Sequence, residues 1–445
     1  MTLEDLGQRL LDAAKRAGAE SADAIAIRGA SVSLDLRAGA LEQAERSEGT
    51  ELGLRVLIGG RQACVSVSDI SDRSLEAVAE RAVAMAREAP ADPHAGLADP
   101  SQLAAAWDVA ALQIADDTAE PSPAALEQDA RLAESGAMVL HGITQVEASA
   151  SYSRRSVHLV ASNGFSGGYA RTSRFVSAVA FTGTGMGMER DWAAESRIFQ
   201  SDLPEAVGVG GLAAERALAR AGARKPRTGS FPVLFDERIA STLIGHLLSA
   251  VNGSSVARGS SWLRDALGQP VLPAGLSLVE DPLRVRAAAS RPFDAEGLAA
   301  KPRTIVDCGV LTGWTLDLAN ARKLGMESTA SASRGTMGPP SPGVSNIDLL
   351  GGTATKADLI AQMGTGLVVT SLIGSTINPT TGDYSRGASG YWVQNGEVQY
   401  AVNECTIAGN LRDMLLRIVA ANDARAHLST RIPSLLVEGM TLAGE

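Results

Sequence analysis

Apolar residues in this chain repeat with two different periods, one after the other, and that leaves few folds open. Leu3, Leu6, Leu10 and Ala14 lie on one face of a helix over residues 3–17. Thr2 can cap its start, Glu4 and Asp5 suit the positive end, and Gly18 can close it. The period then drops to two. Val32, Leu34 and Leu36 alternate with Ser33, Asp35 and Arg37, as in a half-buried strand. Gly59-Gly60 predicts a hairpin between Leu54–Ile58 and Ala63–Val67. A second helix after Asp72 turns Leu75, Val78, Ala82 and Met85 inward.

With 445 residues the chain exceeds one hydrophobic core. The helix–strand–helix unit ends near residue 88, and a proline-bearing connector follows through residue 122. Ser122-Pro123 is an N-cap and first-turn pair for a helix to about Ser135. Strands at Gln145–Ser151 and Ser156–Ala161, a turn at Asn163-Gly164, more alternation to Phe181 and a helix from Pro204 to Ala221 make a second unit. Beyond residue 231 short strands separated by Gly, Pro and Asn dominate, with helices near 237–250 and 408–421. The expected architecture is α+β. Two N-terminal sandwich-like α/β domains with mixed sheets (1–100 and 101–226) precede a mostly antiparallel, barrel-like β-rich domain (227–445).

Composition removes several functions. Aromatic residues are only 4%, so the core must be built from Ala, Val, Leu and Ile. Net charge is −10 with no basic stripe, which argues against direct nucleic-acid binding. No run of about eighteen apolar residues is present to span a membrane, and the charged first twenty residues exclude a secretory h-region. Cys64, Cys308 and Cys405 form no C-x-x-C pair; Cys308 and Cys405 read as buried, inert thiols. A cytoplasmic setting is expected.

Chemical motifs are sparse. Gly164-Phe165-Ser166-Gly167-Gly168 matches G-x-S-x-G, but strand pattern follows it where a nucleophile elbow needs a helix, so Ser166 reads as part of a glycine-rich hairpin. No phosphate-binding glycine motif is complete. Among His94, His141, His158, His246 and His427, no two have metal-ligand spacing, and His246 alone reads as a core histidine. Asp294 and Glu296, two apart in a turn, could face one site, although a solvated loop is the commoner outcome.

Three long segments give the pattern a family. They are PFDAEGLAAKPRTIVDCGVLTGWTLDLANARKLGMESTASASR at 292–334, GTGLVVTSLIGSTINPTTGDYSRGASGYWVQNGEVQYAVNECTIAGNLRDM at 364–414, and GHLLSAVNGSSVARGSSWL at 245–263. Together they closely resemble the TldD/PmbA family, specifically its PmbA (TldE) branch. The resemblance implies a two-subunit zinc peptidase. Its TldD-type subunit carries H-E-x-x-x-H, in which histidines bind zinc and the glutamate activates water. That motif falls here on Ser241-Thr242-Leu243-Ile244-Gly245-His246, which keeps only the last histidine. The family's third ligand, a cysteine near the C-terminus, has no counterpart in 422–445, and Cys405 lies too early. One imidazole does not replace the three or four ligands zinc needs. The resemblance therefore implies no metal and no catalytic residue in this chain, with zinc in a TldD-type partner and the pair enclosing a chamber.

The implied substrate is an unfolded or extended peptide, added as a strand by backbone hydrogen bonds. Family associations include antitoxin degradation, maturation of microcin-type precursors and modulation of DNA gyrase. Candidate peptide-contacting residues are His246, Gly364, Thr365, Gly366, Asn378, Asp383 and Tyr384, each with a structural alternative as core, turn or cap. Two other readings stand beside this one: a stand-alone homodimeric peptide-binding scaffold, and a hydrolase using Ser166.

Overall fold

Helices on one side and the C-terminal half on the other sandwich a single long antiparallel sheet in the computed structural model, which describes residues 1–445. Its strands are β1 (Ser21–Arg37), β2 (Ala40–Ile58), β3 (Arg61–Val67), β4 (Ile143–Ala161), β5 (Ser166–Thr182) and β6 (Glu189–Arg197), in the order β3-β2-β1-β4-β5-β6. The sheet thus runs through both expected N-terminal units. Two helix pairs cover one face of it. The first pair is α1 (Leu3–Ala17) and α2 (Asp72–Glu88); a short α3 (Val109–Leu112) lies in the connector; the second pair is α4 (Pro123–Met138) and α5 (Ala206–Ala219).

Each pair builds its own core. Leu6, Leu10, Leu75, Val78 and Ala82 pack on Ala24, Leu52, Leu54 and Val56. Met85, expected inside, is exposed, because Val83 and Ala86 take the inward positions of that turn. Under α4 and α5 the core is mainly alanine, with Val32, Leu34 and Leu36 from β1. Glycines let these helices touch: a Cβ on Gly210 would lie 1.8 Å from the Ala133 carbonyl oxygen, and one on Gly136 would lie 2.2 Å from that of Val207. Thr2 closes a capping box on α1, and Ser122 caps α4 with Pro123 in its first turn.

The C-terminal region is wound from β7 (Gly229–Phe235), α6 (Glu237–Ala250), α7 (Gly253–Ala257), β8 (Ser277–Glu280), β9 (Arg303–Asp307), β10 (Val310–Leu311), α8 (Leu318–Leu324), β11 (Ala332–Ser333), β12 (Ser341–Pro342) and β13 (Ile347–Leu350). It continues through α9 (Lys356–Met363), β14 (Gly366–Ile377), β15 (Asp383–Gln394), β16 (Glu397–Asn410), α10 (Leu411–Leu416), β17 (Ile418–Ala420), β18 (Thr430–Arg431) and β19 (Leu435–Ala443). Its main sheet runs β16-β15-β14-β7-β19-β17, and Thr406–Ala408 of β16 also pair with Thr441–Ala443 of β19, which closes it into a barrel-like form. The β14–β7 pair is parallel; its neighbours are antiparallel. The helix expected at 408–421 is shorter, since Asn410 ends β16 and caps α10 there.

The sheet's second face receives the C-terminal region through an aromatic cluster and an ionic centre. Phe293 meets Phe165 and Trp107 edge-on, with ring centroids 5.0 Å apart in each case, and Tyr169 at 5.6 Å. Beside them Asp23 of β1 accepts from the Arg55 Nε of β2 at 2.8 Å and from Arg334 of the C-terminal region, all three buried. Burial alone would raise the Asp23 carboxyl, but Arg334 and Arg55 outweigh it and hold the group below its ordinary range.

Asp23→Ala strands two buried guanidinium groups. It should lower the unfolding free energy measured in urea by about 3–5 kcal/mol, whereas Asp12→Ala on the exposed face of α1 should change it by no more than about 0.5 kcal/mol. A depressed folded pKa stabilises above the unfolded value, and that contribution is lost as pH falls through the folded one. The difference between wild type and Asp23→Ala should therefore shrink as urea transitions are measured at successively lower pH below about 4.

Candidate functional site

Helix α6 follows β7 directly, capped by Asp236. Ala240, Leu243, Ile244 and Leu247 form its buried face. Ser241, Thr242, Gly245, His246 and Ser249 are left on the less covered side. The Thr242 hydroxyl donates to the Ile239 carbonyl at 2.6 Å and the Ser249 hydroxyl to that of Gly245 at 2.9 Å, so both are bound to their own helix. His246 stands edge-on to Tyr384 of β15, with ring centroids 5.8 Å apart. Burial first, then the nearby Arg386 charge, holds its imidazole below the ordinary value, so it is neutral at pH 7.

Two polar atoms in this contact are buried without a hydrogen-bond partner: His246 Nε2 and the Tyr384 hydroxyl. Tyr384 is only 3% exposed, and burial pushes its phenol up to about 12. Arg386 lies beside it but gives its Nε to the Gly374 carbonyl at 2.7 Å.

The other sequence candidates divide into two places. Asn378 and Asp383 belong to the turn between β14 and β15, close to Tyr384. The Asn378 side chain accepts from the Thr380 and Thr381 amides at 2.9 and 3.2 Å, and Asp383 accepts from the Thr381 hydroxyl at 2.6 Å. Gly364, Thr365 and Gly366 lie at the far end of β14. Tyr384 pairs with Ile377, so β14 separates the two groups by roughly 35 Å at the usual rise per residue. Gly364 ends α9 with φ +65°, and a Cβ on Gly366 would lie 2.3 Å from the Pro232 carbonyl oxygen; both have clear structural uses.

Sequence reasoning missed what lies between them. After Val369 the strand β7 ends, so Ser371–Ile377 of β14 pair only with β15 and leave one edge free of any strand. Beside it a cavity of about 630 Å³ opens against the central strands, lined by Phe181, Met188 and Trp192 from one side and Ser371, Ile373 and Ser389 from the other. Ile373 and Met188 are exposed. The run Leu367–Ile377 carries no two-residue alternation to mark an edge, and the facing aromatic residues, some 180 positions earlier, gave no local signal.

Charge fixes α6 against the central strands. Arg238 pairs with Asp191 of β6 at 3.1 Å and with Asp236 at 3.0 Å, and Lys356 joins Asp236. Burial, then its contact with Asp236, pushes Glu237 up to about 7; Asp236 is held low by its partners despite burial.

Other expectations change. Asp294 and Glu296 are not in a solvated loop but buried: Asp294 accepts the amides of Glu296, Leu298 and Ala332 at 2.9–3.0 Å and so ties the turn together. Cys405 is buried and raised to about 11 by burial, but Cys308 is exposed, since it occupies the β9–β10 turn with φ +44°. Ser166 opens β5, with no helix after it. Its hydroxyl donates to Glu4 at 2.8 Å and lies 2.9 Å from His158 Nε2, an array that pins α1 to the sheet.

Nothing here fits zinc. The three positions of an H-E-x-x-x-H stripe offer Ser241, a Thr242 hydroxyl spent on backbone, and one imidazole turned toward a tyrosine. No group of three or more His, Cys, Asp or Glu side chains is placed to hold a metal ion.

The class follows from this architecture: a peptidase-like fold whose motif helix lacks a ligand set. Three family models match in sequence, the PmbA/TldA metallopeptidase domain 1 over residues 22–86, its central domain over 111–221 and its C-terminal domain over 228–444. The chain belongs to the PmbA/TldD metallopeptidase family, on its PmbA branch. It is similar to the metalloprotease PmbA of Escherichia coli O157:H7 (37% identity, covering 93% of this chain and 90% of that one). The PmbA homolog of Haemophilus influenzae is 33% identical over 98% of this chain and 94% of its own length. A Bacteroides thetaiotaomicron crystal structure, described as a candidate modulator of DNA gyrase, superposes with a TM-score of 0.91 (28% identity, 99% and 98% covered). TldE from Thermococcus kodakarensis shares the fold alone, with a TM-score of 0.83 at 17% identity over 98% and 99% of the two chains.

Tyr384→Phe removes a buried hydroxyl whose polar neighbour Arg386 is turned to the Gly374 carbonyl, so it should raise the unfolding free energy from chemical denaturation by about 1–3 kcal/mol, while Tyr384→Ala should lower it by about 3–5 kcal/mol.

Proposed function

We propose that this chain is the non-zinc-binding subunit of a heteromeric TldD/TldE-type metallopeptidase, working in the cytoplasm on unfolded or extended peptides. Its parts at 1–100 and 101–226 form chamber wall, and 227–445 presents the peptide-binding surface. The observation that carries this reading is the pairing of a ligand-poor α6 with the free edge of β14 at Ser371–Ile377. A helix without a zinc set cannot polarise a peptide carbonyl or generate hydroxide at neutral pH. An open strand edge still binds a peptide through its backbone, with alternate side chains directed to either face. The cavity lined by Phe181, Met188 and Trp192 would take the apolar ones.

The site residues have matching roles. Tyr384 and His246 hold β15 against α6 through their edge-on contact and so position the free edge for a peptide. Asn378 and Asp383 hold the hairpin tip in shape, and Gly364, Thr365 and Gly366 fix where β14 begins. Catalysis and zinc belong to the TldD-type partner. No helix is long and apolar enough to cross a membrane, which accords with this setting.

The isolated chain, supplied with zinc, should hydrolyse no unfolded peptide, whereas mixing it with a TldD-type chain should give cleavage that a chelator abolishes. Hydrolysis by the isolated chain would overturn the reading, and an unchanged size in solution with the partner present would favour the homodimeric scaffold. Within the active pair, Ile373→Asp should raise KM by about tenfold with little change in kcat, the signature of lost uniform binding. Peptides N-methylated at alternate amides should be cleaved far more slowly than their side-chain variants, because only the former lose strand pairing.

A further inference from the structure

A second cavity, of about 470 Å³, opens where three stretches of chain converge, and it includes no residue of α6, β14 or β15. Arg55 and Gln62 come from β2 and β3, His94 from the connector, and Arg258, Asp317 and Lys323 from α7 and α8, with Glu296 among them. Besides the cation Arg55, 3% exposed, the deep charged groups are acids, and half-buried Asp92 of the connector also lines the space. Glu296 is 8% exposed and Asp317 1%, so both are deep, whereas Arg258 and Lys323 are exposed at the rim.

The deep groups are acceptors with capacity to spare. Glu296 receives a single hydrogen bond, at Oε2, from the Leu318 amide at 2.8 Å. Asp317 uses Oδ1 alone, for the Asn320 amide at 2.9 Å and its Nδ2 at 2.7 Å. Gln62 Oε1 is buried with no partner at all. Leaving a buried acceptor unmet costs about 1–3 kcal/mol, so this floor is complementary to a group rich in N–H donors. Arg55 is the one deep cation here: its Nε is held by Asp23, and its charge favours an ionised Glu296. The rim has the opposite character: neither Arg258 nor Lys323 has a carboxylate within ion-pair distance.

We infer that this cavity binds a short zwitterion, a free amino acid or dipeptide, with its ammonium on Glu296 and Asp317 and its carboxylate on Arg258 and Lys323. Other ligand classes satisfy only one end. A simple anion would meet buried acids beyond the rim, and a bare amine would leave both rim cations unpaired. A divalent cation finds no set of three ligating side chains. The volume lies within the range of small-ligand pockets. This inference goes beyond the peptidase reading and does not rest on it.

Protonation supplies a second signature. Burial first, then the Asp294 charge in the same turn, pushes Glu296 up to about 8; Asp317 at the start of α8 adds to this, and Arg55 of β2 and the Leu318 amide oppose it. Glu296 is therefore mostly neutral at pH 7, and an ammonium beside it favours the ionised form. Binding should release a proton, and affinity should rise between about pH 6 and about pH 7.5, where an α-amino group stays largely charged.

The test is calorimetry on the full-length chain with alanine, glutamine and dialanine as probes, and with acetate and ethylamine as half-ligands. At least one zwitterion should bind with a Kd below about 1 mM and should bind at least about tenfold more tightly than either half-ligand. The double variant Arg258→Ala, Lys323→Ala should weaken it at least about tenfold without moving the thermal unfolding midpoint. Glu296→Gln, similar in shape, should abolish the rise of affinity with pH. No binding of any zwitterion at about 10 mM, equal binding of a half-ligand, or unchanged affinity in the rim variant would overturn the assignment.

Discussion

Asp23 is a carboxylate in the middle of a strand, on the sheet face opposite the helices, and its two arginine partners come from different parts of the chain. Arg55 is its neighbour on β2; Arg334 comes from more than three hundred residues later. Such a centre adds little net stability, because taking three charges out of water offsets most of the attraction. Its effect is on register. A strand slipped by one residue would point Asp23 into the alanine and leucine core under α1 and α2, where nothing pairs with it. The same contact sets Thr336 against β2 so closely that a Cβ on Gly53 would lie 2.3 Å from its carbonyl oxygen.

Because the C-terminal region docks through this centre and the Phe293 cluster, its remaining contacts with the sheet are polar seams. Arg220 reaches Glu189 at 3.3 Å and Ser389 at 3.2 Å, Asn403 donates to Glu189 at 2.7 Å, and His427 lies 3.1 Å from Glu195. Seams of this kind leave space where side chains are too short to close it, and the cavity beside β14 opens along them, whereas the second opens beside the ionic centre at Arg55. Neither lies inside a hydrophobic core, which agrees with ligands recognised by backbone or by charge.

Most caps and turns are legible in the sequence because short stretches of chain determine them, although the inward face of α2 at Met85 is not. The capping of α1 by Thr2, the Gly59-Gly60 turn and the Ser122-Pro123 start of α4 are set within four or five residues, and α2 begins at Asp72, one residue before the expected start. Errors came where distant partners decide. Residues 143–161 looked like two strands because Ser153, Arg154, Arg155 and Ser156 interrupt the apolar alternation. They continue as one strand because β1 and β5 pair with them on both sides, over the gap between the two helix pairs. Asp294 and Glu296 resembled a solvated turn, and only the arrival of β1, β2 and α8 buries them. At the site, the substituted ligand positions were legible along α6, but the Tyr384 ring against His246 and the free edge of β14 depend on where another strand ends.

That strand end links the fold to its proposed work. β7 stops at Phe235 because Asp236 caps α6 there, with the Asp236 amide donating to the Val369 carbonyl as the last link to β14. Starting the helix at that residue therefore does two things at once: it deprives Ser371–Ile377 of a strand neighbour, and it sends a helix back along the sheet so that His246 meets Tyr384. Had β7 run four residues further, the edge would be filled and no extended peptide could add to it. The same geometry would serve a helix with a full set of zinc ligands, since the ligands and the edge would then lie side by side. On this chain the helix has hydroxyls spent on its own backbone and one neutral imidazole, so α6 presents no zinc ligand set beside the edge proposed to hold the peptide.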